Sequence, residues 1–475
     1  MRCATVSRNA VRITNSSQSL CQTHATAHQE DTPHCPPFSW LRKETRARAE
    51  IGPVFCVIFS AMAKLSETLK SRGYVYQFSS EKLEEITDGK KRTVYLGVDP
   101  TADSIHAGNF AVFMLLRRFA DAGHKIILII GGGTALAGDP KPDVERTLTD
   151  AVIIQARAEK LRAQAEKILG GVEVTLVNNA DWLTKLNLME FLRDTGKHFT
   201  VNSLIKKDAI SARMESEEGI SFTEFSYPLL QAYDYWHLYK EYGCDVQIGG
   251  SDQWGNIIAG VDLIRRKENA TVYALSSPLI VDKATGKKFG KSEGNAVWLD
   301  AEMTSPYAFY QFWFNSSDES VIDYLKLFTL LEDAEIDAIK ELHARDKKER
   351  HAQKTLAREV TTLVHGEAEA EKAEQVTQAL FGETPLSALD ESAIEILKSA
   401  APSHNVKKDT PVLDVLVEAK LASSKREARQ FLADKAVTLN GSPVNEKYAL
   451  GKTDFHNGVA LLKRGKKNVC VLTLA

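Results

Sequence analysis

TVYLGVDPTADSIHAGNFAVFMLLRRFADAGHKIILIIG, residues 93–131, sets two apolar runs of strand length, 93–98 and 125–131, on either side of a helix-period segment at about 108–122. A second helical pattern follows from about 149 to 169, and VEVTLVNN (172–179) reads as a third strand. Strand, helix and strand in alternation predict a doubly wound parallel sheet of the Rossmann-like α/β class, covered by helices on both faces. Ligands bind such sheets at the carboxyl ends of the strands, so the residues that follow each strand are the first candidates for function.

Working outward, FTEFSYPLLQAYDYWHLYKEYG predicts a helix over 222–242 with Pro228 near its first turns, and CDVQIGG (244–250) predicts another strand. After Gly294 the pattern turns helical, through SPYAFYQFWF (305–314) to about residue 400. The expected organisation is a Rossmann-like α/β domain over 62–300, a helical domain over 301–400, a linker over 401–410 and a small α+β domain over 411–475. APSHNVKKDTP (401–411) has linker composition, and 411–441 reads as two helices followed by short strands.

At 475 residues the chain is long enough for several domains. Its 43% hydrophobic and 26% charged residues match globular usage, and no run of eighteen apolar residues is present to span a bilayer. The net charge of −3 is uneven: residues 411–475 carry eleven Lys+Arg against six Asp+Glu. A basic tail on an acidic body points to a polyanionic partner, although a solvated charged face gives the same composition. Four of six cysteines, Cys3, Cys21, Cys35 and Cys56, precede residue 57, and no disulfide framework or zinc-ligand spacing emerges. Cysteine usage therefore fits a reducing, cytoplasm-like compartment. The first 61 residues have no acidic residue before Glu30 and are rich in Ser, Thr and Arg. They read either as an organellar transit peptide or, the favoured reading, as translated sequence upstream of a start at Met62.

Three stretches carry chemistry. YLGVDPTADSIHAGNF (95–110) joins the first strand to a helix N-terminus, with Thr101, His106 and Asn109 around the turn. Free N–H groups and the positive end of the helix dipole make such a turn a phosphate site, and Gly108 permits close approach of a planar base. GKKFGKSEGN (286–295) is a glycine-punctuated loop whose Lys288, Lys291 and Ser292 can reach a charge that forms only in a transition state. Tyr227, Gln231 and Asp234, at i, i+4 and i+7, share one helical face, and QIGGSDQWGN (247–256) adds Gly250 for a nucleoside and Asp252 for ribose hydroxyls. Each alone has an ordinary structural reading as a cap, a solvated loop or a core edge.

In order and content these stretches resemble the bacterial-type tyrosyl members of the class I aminoacyl-tRNA synthetases over nearly all of 62–475. DPTADSIHAGN is similar to the first class I signature, KFGKS to the lysine-loop signature, and FTEFSYPLLQAYD and QIGGSDQWGN to the tyrosine-binding helix and strand. The resemblance implies ATP as a substrate with Mg²⁺ carried mostly on its phosphates, no zinc, and L-tyrosine and tRNA as partners in a cytoplasmic homodimer. Tyr95 and Asp234 are implied to hold the phenolic hydroxyl, and Tyr227, Gln231 and Asp139 the ammonium group. By the same resemblance Gln253 orients the substrate, while Asp99 and Asp252 lie near the amino acid and the ribose. Thr101, His106, Gly108, Asn109 and Gly250 are implied to contact ATP, with Lys288, Lys291 and Ser292 closing on pyrophosphate. The tail resembles an S4-type RNA-binding fold, which implies RNA contacts from Lys425, Arg426, Arg429, Lys435, Lys463 and Arg464, with Lys466 and Lys467 beside them.

Two positions depart from the family pattern: Asn109 stands where many relatives have His, and GDP (138–140) continues as Lys141, Pro142, Asp143 rather than Ser-Gly-Lys. A tryptophanyl enzyme shares the chemistry, but Asp234 suits a phenol. A non-catalytic RNA-binding relative is disfavoured by the intact His106, Lys288 and Lys291.

Overall fold

Six strands build the first sheet of the computed structural model: β1 (Gln77–Phe78), β2 (Thr93–Val98), β3 (Lys125–Ile130), β4 (Val174–Asn178), β5 (Val246–Gly250) and β6 (Tyr273–Ser277). The structure describes residues 64–141, 149–217, 219–281, 283, 286, 296–382, 384–465 and 468–475. The sequence expectations for residues 1–61, Pro142, Asp143, Lys288, Lys291, Ser292, Lys466 and Lys467 therefore lie outside the described residues.

The strand order is β1-β6-β5-β2-β3-β4, parallel throughout except for β1, which runs antiparallel at the edge. Chain order reverses at β2, which pairs with β3 on one side and β5 on the other. That reversal opens a crevice at the carboxyl ends of β2 and β5, the usual ligand position in an open parallel sheet. Both faces are covered, so β3 buries Ile126, Ile127, Leu128, Ile129 and Ile130 in an unbroken run, each worth roughly 1.5–3 kcal/mol.

The helices obey their local signals. Ala107–Asp121 buries Phe110, Phe113, Met114, Leu116 and Phe119. Ala151–Leu169 starts on the Asp150 side chain, which accepts the Val152 N–H at 2.8 Å, and ends at left-handed Gly170. Phe222–Tyr242 starts on Ser221 and ends at left-handed Gly243, with Pro228 inside it.

From Pro306 to Ala400 the chain is helical, as its pattern predicts. Its aromatic core, Phe309, Tyr310, Trp313, Tyr324 and Phe328, is continuous with the core beneath the first sheet. Phe110 stacks on Phe328 with centroids 5.6 Å apart, Tyr74 donates to the Leu327 carbonyl at 2.6 Å, and Arg118 donates to that of Thr329 at 2.7 Å. The helical segment is thus set on the same hydrophobic core as the sheet rather than on one of its own.

A second sheet has the order β7-β11-β10-β8-β9, with β7 (Ser403–Val406), β8 (Val437–Leu439), β9 (Ser442–Pro443), β10 (Val459–Arg464) and β11 (Asn468–Leu474). The linker expected over 401–410 needs correction. Ser403–Val406 pairs in parallel with Val471–Leu474, because an edge of β11 is open to it and the polar residues of SHNV suit an edge strand. Alternation divides this sheet's residues between two cores: Val459, Leu461 and Val471 join the helical segment, while Ala460, Leu462, Cys470 and Leu472 pack under helices Val412–Glu418 and Lys425–Ala433.

Trp313 is fully buried, with the rings of Phe309, Phe312, Tyr324 and Phe328 at centroid distances of 6.0, 5.1, 6.2 and 4.8 Å. Trp313→Ala is expected to cost about 3–5 kcal/mol, read as a lower urea midpoint by far-UV circular dichroism. Because the core is continuous, the loss should appear in the transition of the first sheet as well.

Candidate functional site

The carboxyl ends of β2, β3 and β4 are tied together by one chain of hydrogen bonds. Asp99, the residue after β2, accepts from Thr134 Oγ1 at 2.7 Å and from the Tyr227 hydroxyl at 2.8 Å. Asn179, the residue after β4, accepts from the Gly133 N–H at 2.7 Å and donates to Thr134 Oγ1 at 2.9 Å and Asp234 Oδ2 at 2.8 Å. Trp182 Nε1 closes the chain on Asp234 Oδ1 at 2.7 Å. The carboxylate of Asp234, on the Phe222–Tyr242 helix, is therefore 3% exposed and holds two strong donors.

Burial pushes the Asp234 carboxyl up to about 7, against the pull of the Asn179 and Trp182 donors, and the charge on Asp99 adds to the rise. Beside it, the Tyr95 hydroxyl is buried with no hydrogen-bond partner; burial raises its pKa most, and Asp234 raises it further. Tyr95 projects from β2 in register with Gln247 of β5, whose buried amide oxygen is also without a partner, and its ring meets Tyr235 edge-on at 5.1 Å. The Gln231 amide oxygen is a third such group. Buried polar atoms without partners are costly, so their grouping beside one carboxylate marks a place where a polar ligand supplies the missing bonds.

On the other side of the crevice Asp139 accepts from Gln253 Nε2 at 2.8 Å and Asn256 Nδ2 at 3.0 Å. Asp252 is exposed and follows Gly250 at the end of β5. Gly131 has no room for a side chain, since a Cβ would fall on the Asp99 carboxylate and within 2.5 Å of Thr134 Oγ1. A glycine here lets the β3 turn close against Asp99.

His106 caps the Ala107–Asp121 helix in an extended conformation, with Thr101 exposed and Asn109 and Gly108 around the same turn. The turn is braced from outside: the Ala107 N–H donates to the Val297 carbonyl at 2.8 Å and the Leu299 N–H to that of Ile105 at 2.9 Å. The Trp298 ring meets His106 edge-on at 6.0 Å. Residues 297–299 follow the lysine-rich stretch in sequence and are bonded to the His106 turn.

The structure thus gathers Tyr95, Asp99, Asp139, Tyr227, Gln231, Asp234 and Gln253 at one end of the sheet. It adds Thr134, Asn179, Trp182, Gln247 and Asn256, which sequence reasoning does not single out. Asn179 carries a usable signal, an amide directly after a parallel strand, whereas Thr134 and Asn256 gain their meaning only from the partners they meet. Among the described residues no group of three or more His, Cys, Asp or Glu is arranged to hold a metal ion.

In the tail, Lys425 pairs with Asp414 at 2.6 Å and Arg429 with Glu446 at 2.7 Å, while Arg426 and Lys435 are exposed. Arg464 lies over the Phe431 ring at 4.8 Å. Lys463, expected on a basic face, instead donates to the Ala379 carbonyl at 3.0 Å and ties the tail to the helical segment, its pKa lowered by burial.

Comparison with known proteins identifies the family. The family model described as tRNA synthetases class I (W and Y) matches residues 87–382, and that of the tyrosine–tRNA ligase SYY-like C-terminal domain matches 393–472. A tyrosine–tRNA ligase of Lactococcus lactis subsp. cremoris is 43% identical over 417 residues, covering 86% of this chain and 99% of its own. Tyrosine–tRNA ligase 1 of Bacillus subtilis is 44% identical over 424 residues, covering 87% and 100%. Among solved structures, a C-terminally truncated Aspergillus nidulans mitochondrial tyrosyl-tRNA synthetase is similar with a TM-score of 0.61 and 32% identity, over 67% of this chain and 94% of that one. Matches of this extent, over a sheet that carries carboxylates at its strand ends, place the chain in the class I tRNA synthetases of the tryptophan and tyrosine family, among the bacterial-type tyrosine–tRNA ligases.

Proposed function

We propose that the buried Asp234 carboxylate and the Tyr95 hydroxyl form the phenol-recognition end of the amino-acid site in this tyrosine–tRNA ligase. Its reaction activates L-tyrosine with ATP to tyrosyl-AMP and pyrophosphate, then transfers tyrosine to the 3'-terminal adenosine of tRNA. The observation that carries the assignment is the placement of Asp234 between two fixed donors and beside an unpartnered hydroxyl. Tyr227, Gln231 and Asp139 then hold the ammonium group, with Gln253 orienting the substrate and Asp99 aiming the Tyr227 hydroxyl. The tyrosine carboxylate attacks the α-phosphorus of ATP in line and pyrophosphate leaves. Thr101, His106, Gly108 and Asn109 meet the nucleotide phosphates at the helix N-terminus, Gly250 and Asp252 meet the ribose, and Lys288, Lys291 and Ser292 stabilise the departing pyrophosphate. Mg²⁺ enters on the ATP phosphates. No side chain need act as a nucleophile, so catalysis lies in positioning and in contacts that strengthen in the transition state.

The tail is read as an S4-like RNA-binding unit that begins with β7, after a catalytic region to about residue 300 and a helical region to about 400. Its exposed Arg426 and Lys435 are the groups best able to meet phosphate. A homodimer is the inferred assembly, supported by the exposed apolar residues Leu188, Met189, Val201, Met214 and Phe222 on the segment that leads into the tyrosine helix. A cytoplasmic location is inferred from the bacterial-type relatives.

Tyrosine-dependent exchange of pyrophosphate into ATP tests the assignment. Asp234→Asn should lower the preference for tyrosine over phenylalanine in that assay by about tenfold or more, because the site's own polar groups are what reject the analogue without a hydroxyl. Tyrosine-activating enzymes are themselves the worked case of this rule, so the expected size is a property of the family rather than of this site's geometry. An unchanged ratio would remove Asp234 from recognition.

The same carboxyl makes stability depend on pH. Its folded pKa, about 7, is raised, so the native state binds more protons than the unfolded chain between about 4 and 7. The contribution of this group is fully present below about 4 and is lost as pH rises through 7. Relative to wild type, the melting temperature of Asp234→Asn should therefore improve between pH 5 and pH 8, and scanning calorimetry at the two values would show it.

Gly131→Ala should cut tyrosine activation by about tenfold or more, since its methyl group displaces the Asp99 carboxylate from the Tyr227 and Thr134 hydroxyls. Wild-type exchange kinetics in that variant would count against the role of Asp99. For the tail, Arg426→Ala with Lys435→Ala should leave pyrophosphate exchange unchanged and weaken tRNA binding. The slope of log K against log salt should fall by about 1–2, as expected when two phosphate contacts are lost.

A further inference from the structure

Two cations outside the substrate-contacting set, the half-buried Lys207 and the buried Arg213, sit on one short helix and its start, Asp208–Glu215, and each bonds to a turn of the amino-acid site. Lys207, just before the helix, donates its Nζ to the Gly255 carbonyl. Arg213, in its last turn, has 2% side-chain exposure. Its Nε donates to the Gly219 carbonyl at 3.0 Å, and its Nη1 donates to Glu224 Oε1 at 3.2 Å and lies 3.5 Å from the Lys141 carbonyl.

These anchor points are not scattered. Gly255 sits between Gln253 and Asn256, the two residues whose amides hold the two oxygens of Asp139. Lys141 is two residues beyond Asp139 itself. Glu224 lies in the first turn of the helix that carries Tyr227, Gln231 and Asp234, and its own N–H is capped by Ser221 at 3.3 Å. From a single helix, then, one cation holds the turn that orients the Asp139 carboxylate, and the other holds the turn that bears it against the start of the tyrosine helix.

We propose that Lys207 and Arg213 are positioning residues for recognition of the tyrosine ammonium group, acting through Asp139 without touching substrate. The inference rests on the assignment of Asp139 as an ammonium ligand. A buried ion pair is a poor source of net stability but a strict geometric constraint, because either partner left alone is a desolvated charge. Arg213 and Glu224, each 2% exposed, form such a pair at the junction of three segments. The charges of Asp262 and Asp139 oppose the burial that draws the Lys207 ammonium down to about 8, and its bond to the Gly255 carbonyl fixes one point of that turn. Carboxylates that recognise a cation must be held to a fraction of an ångström, and shells of this kind supply that hold.

The test compares two ligands by equilibrium binding to the full chain. Tyrosine has the ammonium group, and 3-(4-hydroxyphenyl)propionate lacks it while keeping the phenol and the carboxylate. Lys207→Met should lower the preference for tyrosine over the propionate by about tenfold, the scale of a weakened hydrogen bond to a charged group, and leave propionate affinity within about twofold. Lys207→Arg should recover most of the preference at pH 7, since a guanidinium keeps a charged donor for the Gly255 carbonyl. Arg213→Met combined with Glu224→Gln, which leaves no unpaired buried charge, should lower the preference in the same way. Equal weakening of both ligands would reduce the two cations to general structural roles and overturn the proposal, as would an unchanged preference in Lys207→Met. Asp139→Asn serves as the control. If it lowers the preference and the Lys207 and Arg213 variants do not, the positioning role fails alone, whereas a neutral Asp139→Asn removes the ammonium assignment beneath it.

Discussion

The network at the strand ends depends on keeping one carboxylate, Asp234, out of water and fully held by its donors. Its two oxygens are held by Asn179 and Trp182, and Asn179 is itself held by Thr134 and the Gly133 N–H. Thr134 in turn donates to Asp99, which receives the Tyr227 hydroxyl. The ends of three strands and one helix are joined through this sequence of bonds, and displacement of any member leaves a buried polar group unpaired. In a low-dielectric setting that penalty is large, which gives the constellation its rigidity.

Rigidity of this kind suits a reaction with no protein nucleophile. In the proposed reading, selection between tyrosine and a similar amino acid falls to groups that are unsatisfied without the right hydroxyl, and Tyr95, Gln231 and Gln247 each present a buried polar atom without a partner. The same arrangement explains why the β3 turn is glycine-rich. Gly131 gives way to the Asp99 carboxylate and Gly132 to the Asn178 side chain, so the backbone of β3 approaches both neighbouring strand ends as closely as packing allows.

Beyond the site, the continuous core connects parts of the chain that differ in composition. The Ala107–Asp121 helix begins at the His106 turn and offers its buried aromatic face to both the sheet and the Val321–Phe328 helix, through Phe110 on Phe328. The tail sheet extends the pattern, with one face in the helical segment's core and Lys463 bonded across to Ala379. Several of the tail's charges are taken up by such internal contacts, while Arg426 and Lys435 are among those that stay exposed.

The sequence by itself determined the strands at 93–98 and 125–130, the helix at 222–242 and the presence of a carboxylate or hydroxyl near the strand ends. These follow from local period and from residue type, which any chain segment carries with it: β2 is an apolar run wherever it folds, and Ser221 and Gly243 begin and end their helix by their own chemistry. Tertiary structure decided which of those polar groups meet. Beyond the position of Asn179 directly after a strand, nothing local in Thr134, Asn179, Trp182 or Asn256 distinguishes a network amide, hydroxyl or indole from a surface one, since their partners in the network lie 35 to 117 residues away. Ser403–Val406 obeys the same rule. Its composition is that of a linker, and its pairing is dictated by the open edge of β11, a strand far later in the chain. Lys463 likewise looks like any cation of a basic tail until the fold sets a carbonyl from the helical segment against it. Hydrogen-bond partners distant in sequence are chosen by sheet order and packing, and neither is written in the residues one at a time.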